Sequence, residues 1–204
     1  TMLEYQMWVL IISLFAQSYR GINLSEDIRF GRISTYLVYP FDFWKYHTAA
    51  FFGHQIIQLF VAALSLVILW AVSPVPLGSP SDWLIGLTYA LFVSIFMFVL
   101  QFLCGLSAFW LEETWMFRIL LSLIAQFCSG AIVPLELFPD IFRNVLNFTP
   151  FPYLTYIPVK LCMGTFTGSL PFMMFVLAMW MVIAVVATIV LWRLGLKNYT
   201  GAGM

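Results

Sequence analysis

Apolar residues along this chain gather into five long runs, at about residues 2–19, 49–72, 83–110, 115–133 and 172–192. Each approaches the roughly 20 residues that a helix needs to cross about 30 Å of hydrocarbon. The first run is short and interrupted by Gln6 and Gln17, whereas the third is long enough to tilt. The pattern predicts membrane-spanning helices, since a transmembrane β-barrel would show alternating segments of ~10 residues instead.

The connections differ in character. Residues 20–48 hold Arg20, Glu26, Asp27, Arg29, Arg32, Asp42 and Lys45, and belong in water or at the interface. Residues 73–81 form a short uncharged turn with three prolines, and WLEET at 110–114 is a tight acidic turn. Residues 134–171 carry six prolines and are too apolar for an ordinary loop. Within them Leu137, Phe138, Ile141, Phe142, Val145 and Leu146 recur at helical spacing, opposite Asp140, Arg143, Asn144 and Asn147. Pro139 suits the first turn of such a helix. The spacing predicts a helix over 137–148 with Phe138, Phe142, Val145 and Leu146 inward. A second short apolar piece follows, with Tyr153 and Tyr156 at the interface, so that 134–171 reads as a re-entrant or interface-lying helical pair.

Composition agrees. The chain has 204 residues, 63% hydrophobic and only 9% charged, against about 25% charged in a soluble domain. Its mean hydropathy is +0.97. Nine basic and nine acidic residues cancel, so no net field recruits a nucleic acid. The fold class is all-α, a polytopic membrane protein forming one transmembrane domain over 1–204. Cys104, Cys128 and Cys162 lie in separate apolar stretches without metal-ligand spacing and read as packing thiols.

Arg20, Arg29, Arg32, Lys45, Arg118, Arg193 and Lys197 fall on one side if five spans alternate, leaving Arg143 and Lys160 on the other. The basic side, with residues 20–48 and the C-terminus, is therefore expected to be cytoplasmic. The first run would then begin outside without a signal peptide, and the expectation is six spans in the intact protein, one of them upstream of this sequence.

No phosphate-cradling GxxxxGK[ST], nucleophile elbow or HExxH occurs in the sequence. No catalytic, cofactor-binding or metal site is expected. His47 and His54 share a helix face, and Gln55 and Gln58 extend that polar stripe into the second span. Such groups face protein or a water-filled path; interhelical packing and a translocation path are both open. Glu112, Glu113 and Arg118 form a charged group at the cytoplasmic membrane edge, through mutual pairing, solvation or proton relay. Between 25 and 37 a short helix is expected along the cytoplasmic face. Ser25 would cap it, with Glu26 and Asp27 in its first turn, and Phe30, Ile33 and Leu37 would form one apolar stripe. Arg29 and Arg32 would flank the stripe, Gly31 would allow close approach, and Pro40 would end the segment.

DIRFGRISTYLVYPFDF (27–43), SGAIVPLELFP (129–139) and PFPYLTYIPVKLCMG (150–164), in that order and before a final span, resemble the permease subunits of type-2 ABC transporters. The closest branch is that of small six-span ABC-2 family transporter proteins. The resemblance implies that this sequence lacks the family's first span. It further implies two identical or homologous permeases, two ABC ATP-binding subunits holding ATP and Mg, and a bacterial inner membrane. The task implied is export of an amphipathic drug, peptide, lipid or glycan by alternating access. Asp27, Arg29, Phe30, Gly31, Arg32, Ile33 and Leu37 would then couple to the ATPase. Gln55, Gln58, Phe138 and Phe142 would line or gate the path. A membrane-embedded enzyme of lipid metabolism and an ion-coupled secondary transporter are the competing readings. The first lacks a clustered set of acids and histidines, and the second lacks visible repeats.

Overall fold

The computed structural model describes residues 2–16, 22–38, 42–72, 79–111 and 114–198. Among them the regular structure is helical throughout: α1 (Met2–Ala16), α2 (Ile22–Arg29), α3 (Ile33–Val38), α4 (Phe43–Val72), α5 (Pro80–Leu106), α6 (Trp115–Cys128), α7 (Asp140–Leu146), α8 (Tyr156–Cys162) and α9 (Leu170–Asn198), with short 3₁₀ turns between some of them. Three helices are long and apolar enough to cross a membrane, over Phe43–Ala71, Pro80–Phe109 and Leu170–Lys197. The first and fourth apolar runs form shorter helices of 15 and 14 residues, about 22 Å each at 1.5 Å per residue.

α5 is the centre of the molecule, packing against α8, α9, α1, α2 and α6. Its start is written in the sequence. The Ser79 side chain accepts from the Asp82 N–H and donates to the Asp82 carboxylate at 2.7 Å, and Pro80 fills the first helical position, where a missing N–H is harmless. Around its middle Val93 and Phe96 are fully buried, beside Trp8 and Ile12 of α1 and Leu154, Val159 and Cys162 at α8. In a bilayer this core is held by dense packing, because lipid tails are as apolar as leucine. A second cluster at the other end of α5 joins Leu24, Ile28 and Ile33 to Phe43, Phe102, Leu106 and Phe109. Elsewhere α4 and α9 present Ile56, Phe60, Trp70, Phe175 and Val182 outward, the surface that hydrocarbon requires.

The predicted single helix at 25–37 is two helices. Gly31, at φ +70, breaks the chain there, because a left-handed residue ends an α-helix. α2 starts at Ile22, so Ser25 lies inside it, buried, and does not stand at the cap position of a helix beginning there. The break also splits the expected stripe: Phe30 is 60% exposed and Ile33 is 1% exposed. Leu37 belongs to α3, but its side chain lies outside the described residues, as do Arg20 and Pro40.

The segment 134–171 also differs in part from its expectation. α7 covers only Asp140–Leu146, with Pro139 one position ahead of it. Of the four side chains expected inward, Leu146 is buried, Phe138 is half-buried, and Phe142 and Val145 are exposed. α8 is packed within the protein. Tyr153, Ile157, Val159 and Cys162 are buried against α5 and α1, because an apolar stretch with few polar positions has no face to give to water.

α5 and α8 meet backbone to backbone at Gly86. A Cβ there would lie 2.9 Å from the Cys162 nitrogen and 3.0 Å from the Pro158 carbonyl oxygen, besides striking the Cys162 sulfur. Small residues let helices approach this closely. Gly86→Ala is therefore expected to destabilise the protein by about 1–3 kcal/mol, the usual cost of overpacking. A thermal-shift series in detergent would read this as a midpoint several degrees lower, and an unchanged midpoint would show that the contact is loose.

Candidate functional site

α6 carries Arg118, Ser122 and Gln126, each four residues from the next, so the three form one polar ridge on an otherwise apolar helix. The Gln126 side-chain amide donates to the Ser122 hydroxyl at 3.0 Å. Opposite this ridge, α1 places Gln6 and Ser13 seven residues apart, on one face. Gln101 of α5 closes the back. These six polar residues, with Val9, Leu10, Trp115, Ile119, Leu123, Ala131 and Ile132, line a groove of about 690 Å³. The groove runs along α6 from Trp115, at its first turn, to Ile132, beyond its last.

Two groups in it are unsatisfied. The Gln101 carbonyl oxygen and one terminal nitrogen of Arg118 are buried without a hydrogen-bond partner among the described residues, although Gln101 is only 6% exposed. Unpaired polar atoms inside a protein cost about 1–3 kcal/mol each, and ionisable side chains at membrane depth mark paths and binding sites. Arg118, read from the sequence as a charge at the membrane edge, lines this groove from the first turn of α6. Glu112 and Glu113 lie outside the described residues. Gln6, Ser13, Gln101, Ser122 and Gln126 were not singled out by sequence reasoning. The four-residue spacing of Arg118, Ser122 and Gln126 is the signal that points to them.

Gln55 and Gln58 do not line this groove. Gln55 is buried on α4, and Gln58 lies 3.4 Å from His54 one turn away. Phe138 and Phe142 stack on each other, centroids 6.0 Å apart, and Phe138 meets Phe127 of α6 edge-on at 5.6 Å. An aromatic cluster therefore stands at the C-terminal end of α6.

At the opposite end, Asp27 is 4% exposed and joins three helices. It accepts from the Tyr36 hydroxyl at 3.0 Å and from Arg32 at 3.4 Å, and faces the Nε2 of His47 at 3.4 Å. Burial and the bond to Asp27 push the Tyr36 hydroxyl up to about 12, so it remains a donor at neutral pH. His47 is buried against Phe43 and Phe102, rather than part of a polar stripe with His54. Among the described residues no three potential ligands cluster as a metal site. Of the remaining residues expected to couple, Arg29 and Arg32 place their guanidinium groups 5.9 and 5.4 Å from the ring of exposed Phe30.

The architecture defines a polytopic α-helical membrane protein with a polar groove between its helices. Over residues 2–203 the chain matches the family model described as ABC-2 family transporter protein, and it belongs to that family. It is accordingly an integral membrane protein, a permease component of an ABC transporter that associates with ABC ATP-binding subunits and is not itself catalytic. No curated protein and no solved structure matches the chain significantly.

Proposed function

We propose that the chain is the permease of an ATP-driven exporter that moves an amphipathic substrate outward by alternating access. The groove carries this reading. A polar face at membrane depth must be covered by protein or water, and a second permease chain facing α1 and α6 would enclose it as a path. Gln6, Ser13, Gln101, Arg118, Ser122 and Gln126 would supply its polar wall, and Phe138 with Phe142 its outer gate. Gln55 and Gln58 would steady α4 from within.

Two ATP-binding subunits, holding ATP and Mg, would dock at the end where Asp27 sits. The part offered to them is a turn rather than a helix: Phe30, between Arg29 and Arg32, projects at the Gly31 break. Asp27, Ile33 and Tyr36 would hold that turn rigid so that ATPase closure moves α4 and α5. The uneven distribution of Lys and Arg supports a cytoplasmic C-terminus, in a bacterial inner membrane. Family membership weighs against the lipid enzyme and the secondary transporter.

Cysteine accessibility tests the groove. In a background without the three native thiols, Ser122→Cys in the transporter is expected to react with a membrane-impermeant maleimide applied to inside-out vesicles. Leu120→Cys, on an exposed apolar position of the same helix, is expected to stay unlabelled in lipid. Equal protection at both positions would remove the groove as a path. Recovery of the chain without any ATPase on affinity purification would remove the ATP-driven reading.

A further inference from the structure

A second cleft, of about 610 Å³, lies between the α7–α8 segment and the start of α9 and shares no lining residue with the groove. One end is charged. The Lys160 ammonium is 2.6 Å from the Glu136 carboxylate and 5.8 Å from the centre of the Tyr156 ring, and its side chain is only 17% exposed. The Tyr156 hydroxyl donates to the same carboxylate oxygen at 3.1 Å. Arg143 lines the cleft close enough for its charge to act on Glu136. The other end is apolar: Phe172, Val176 and Met179 line it from one face of α9, at spacings of four and three residues. Phe172 and Met179 are also exposed at the molecular surface, so the apolar end opens toward lipid.

We propose that this cleft binds one glycerophospholipid with an amine-bearing headgroup. On binding, its phosphate would draw Lys160 from Glu136 and Arg143 from Asp140, leaving Glu136 and the Tyr156 ring to its ammonium, with an acyl chain along α9. The two cations account for the phosphate. The carboxylate and the aromatic face account for the amine, since both attract a cation. A free phosphate would use neither the carboxylate nor the apolar stripe. Glu136 is held below the usual carboxylate range, chiefly by its bond to Lys160, and is therefore ionised at neutral pH. The proposal stands whether or not the chain exports lipid, because the cleft is separate from the groove.

The test uses the detergent-purified transporter, stripped of lipid, with its thermal midpoint followed during titration. Phosphatidylethanolamine in mixed micelles is expected to raise the midpoint saturably and at lower concentration than phosphatidylglycerol, and water-soluble phosphorylethanolamine to have no effect at the same concentrations. Lys160→Gln should raise the half-saturating concentration about tenfold, the loss of one charged hydrogen bond. Glu136→Gln should erase the preference for ethanolamine over glycerol. Because both variants break an ion pair, Val176→Trp provides a remote check: it narrows the apolar end, and should weaken both lipids equally. Equal wild-type affinity for the two lipids would overturn the proposal. So would a full shift by phosphorylethanolamine alone, or unchanged binding in Lys160→Gln or Val176→Trp.

Discussion

Asp27→Ala is expected to destabilise the end of the permease proposed to meet the ATPase and to abolish its assembly with the ATP-binding subunits. Asp27 is a carboxylate shared by α2, α3 and α4, through Tyr36, Arg32 and His47. Its removal leaves the Tyr36 hydroxyl without its acceptor and takes away the carboxylate that the buried His47 ring faces at 3.4 Å; a hydrogen bond to a charged group contributes about 1.5–3 kcal/mol. Arg32 adds little to this, because its side chain is 57% exposed and solvent screens such a pair. Asp27→Asn keeps an acceptor for Tyr36 and should fall between. Phe30→Ala provides the contrast. Phe30 is exposed, so its loss should leave the thermal midpoint unchanged while lowering ATPase recovery. Midpoints and co-purification yields for the three variants would decide the matter; a normal midpoint and yield for Asp27→Ala would show that the shared carboxylate holds nothing.

The hub was hidden in the sequence for a simple reason. Asp27 and His47 are 20 positions apart, and only the fold around Phe43, Phe102 and Leu106 brings them together. Long elements are easier to read. The apolar lengths of α4, α5 and α9 announce themselves, and Ser79, Pro80 and Asp82 mark the start of α5. Burial is harder. TPFPYLTYIPVKLCMG reads the same whether it floats at an interface or packs in a core, and only the Gly86 contact with Cys162 decides for the core. At 137–148 the helical spacing is visible, but the partner of the apolar face is not, so the spacing alone does not turn Phe142 and Val145 inward, and both are exposed. The groove lay in between. Arg118, Ser122 and Gln126 are evenly spaced in the sequence, yet a reading by mean hydropathy passes over three polar residues in a strongly apolar run. Gln6, Ser13 and Gln101 join them only through the packing of α1 and α5.

Arg118→Leu should separate stability from transport, moving them in opposite directions. Holding a cation at membrane depth is unfavourable, by about 2.5–3.5 kcal/mol at the bilayer centre on insertion scales and less toward the ends of a span. Arg118 sits in the first turn of α6, and one of its terminal nitrogens lacks a partner among the described residues. Leucine at this position removes the charge and keeps the helix propensity, so the thermal midpoint should hold or rise. If the groove is the path, the same change takes away its charged group, and export should fall by about tenfold or more, the equivalent of one charged hydrogen bond to a substrate or to ordered water. Arg118→Lys keeps the charge without the forked donor geometry and should retain part of the activity. Gln101→Leu, which removes an unpartnered carbonyl oxygen at the back of the groove, should repeat the pattern more weakly. The readouts are the thermal midpoint in detergent and the stimulation of ATP hydrolysis by a panel of amphiphiles in proteoliposomes. A lower midpoint in Arg118→Leu would mean that the guanidinium is a structural tie, and an undiminished stimulation would mean that the substrate passes elsewhere.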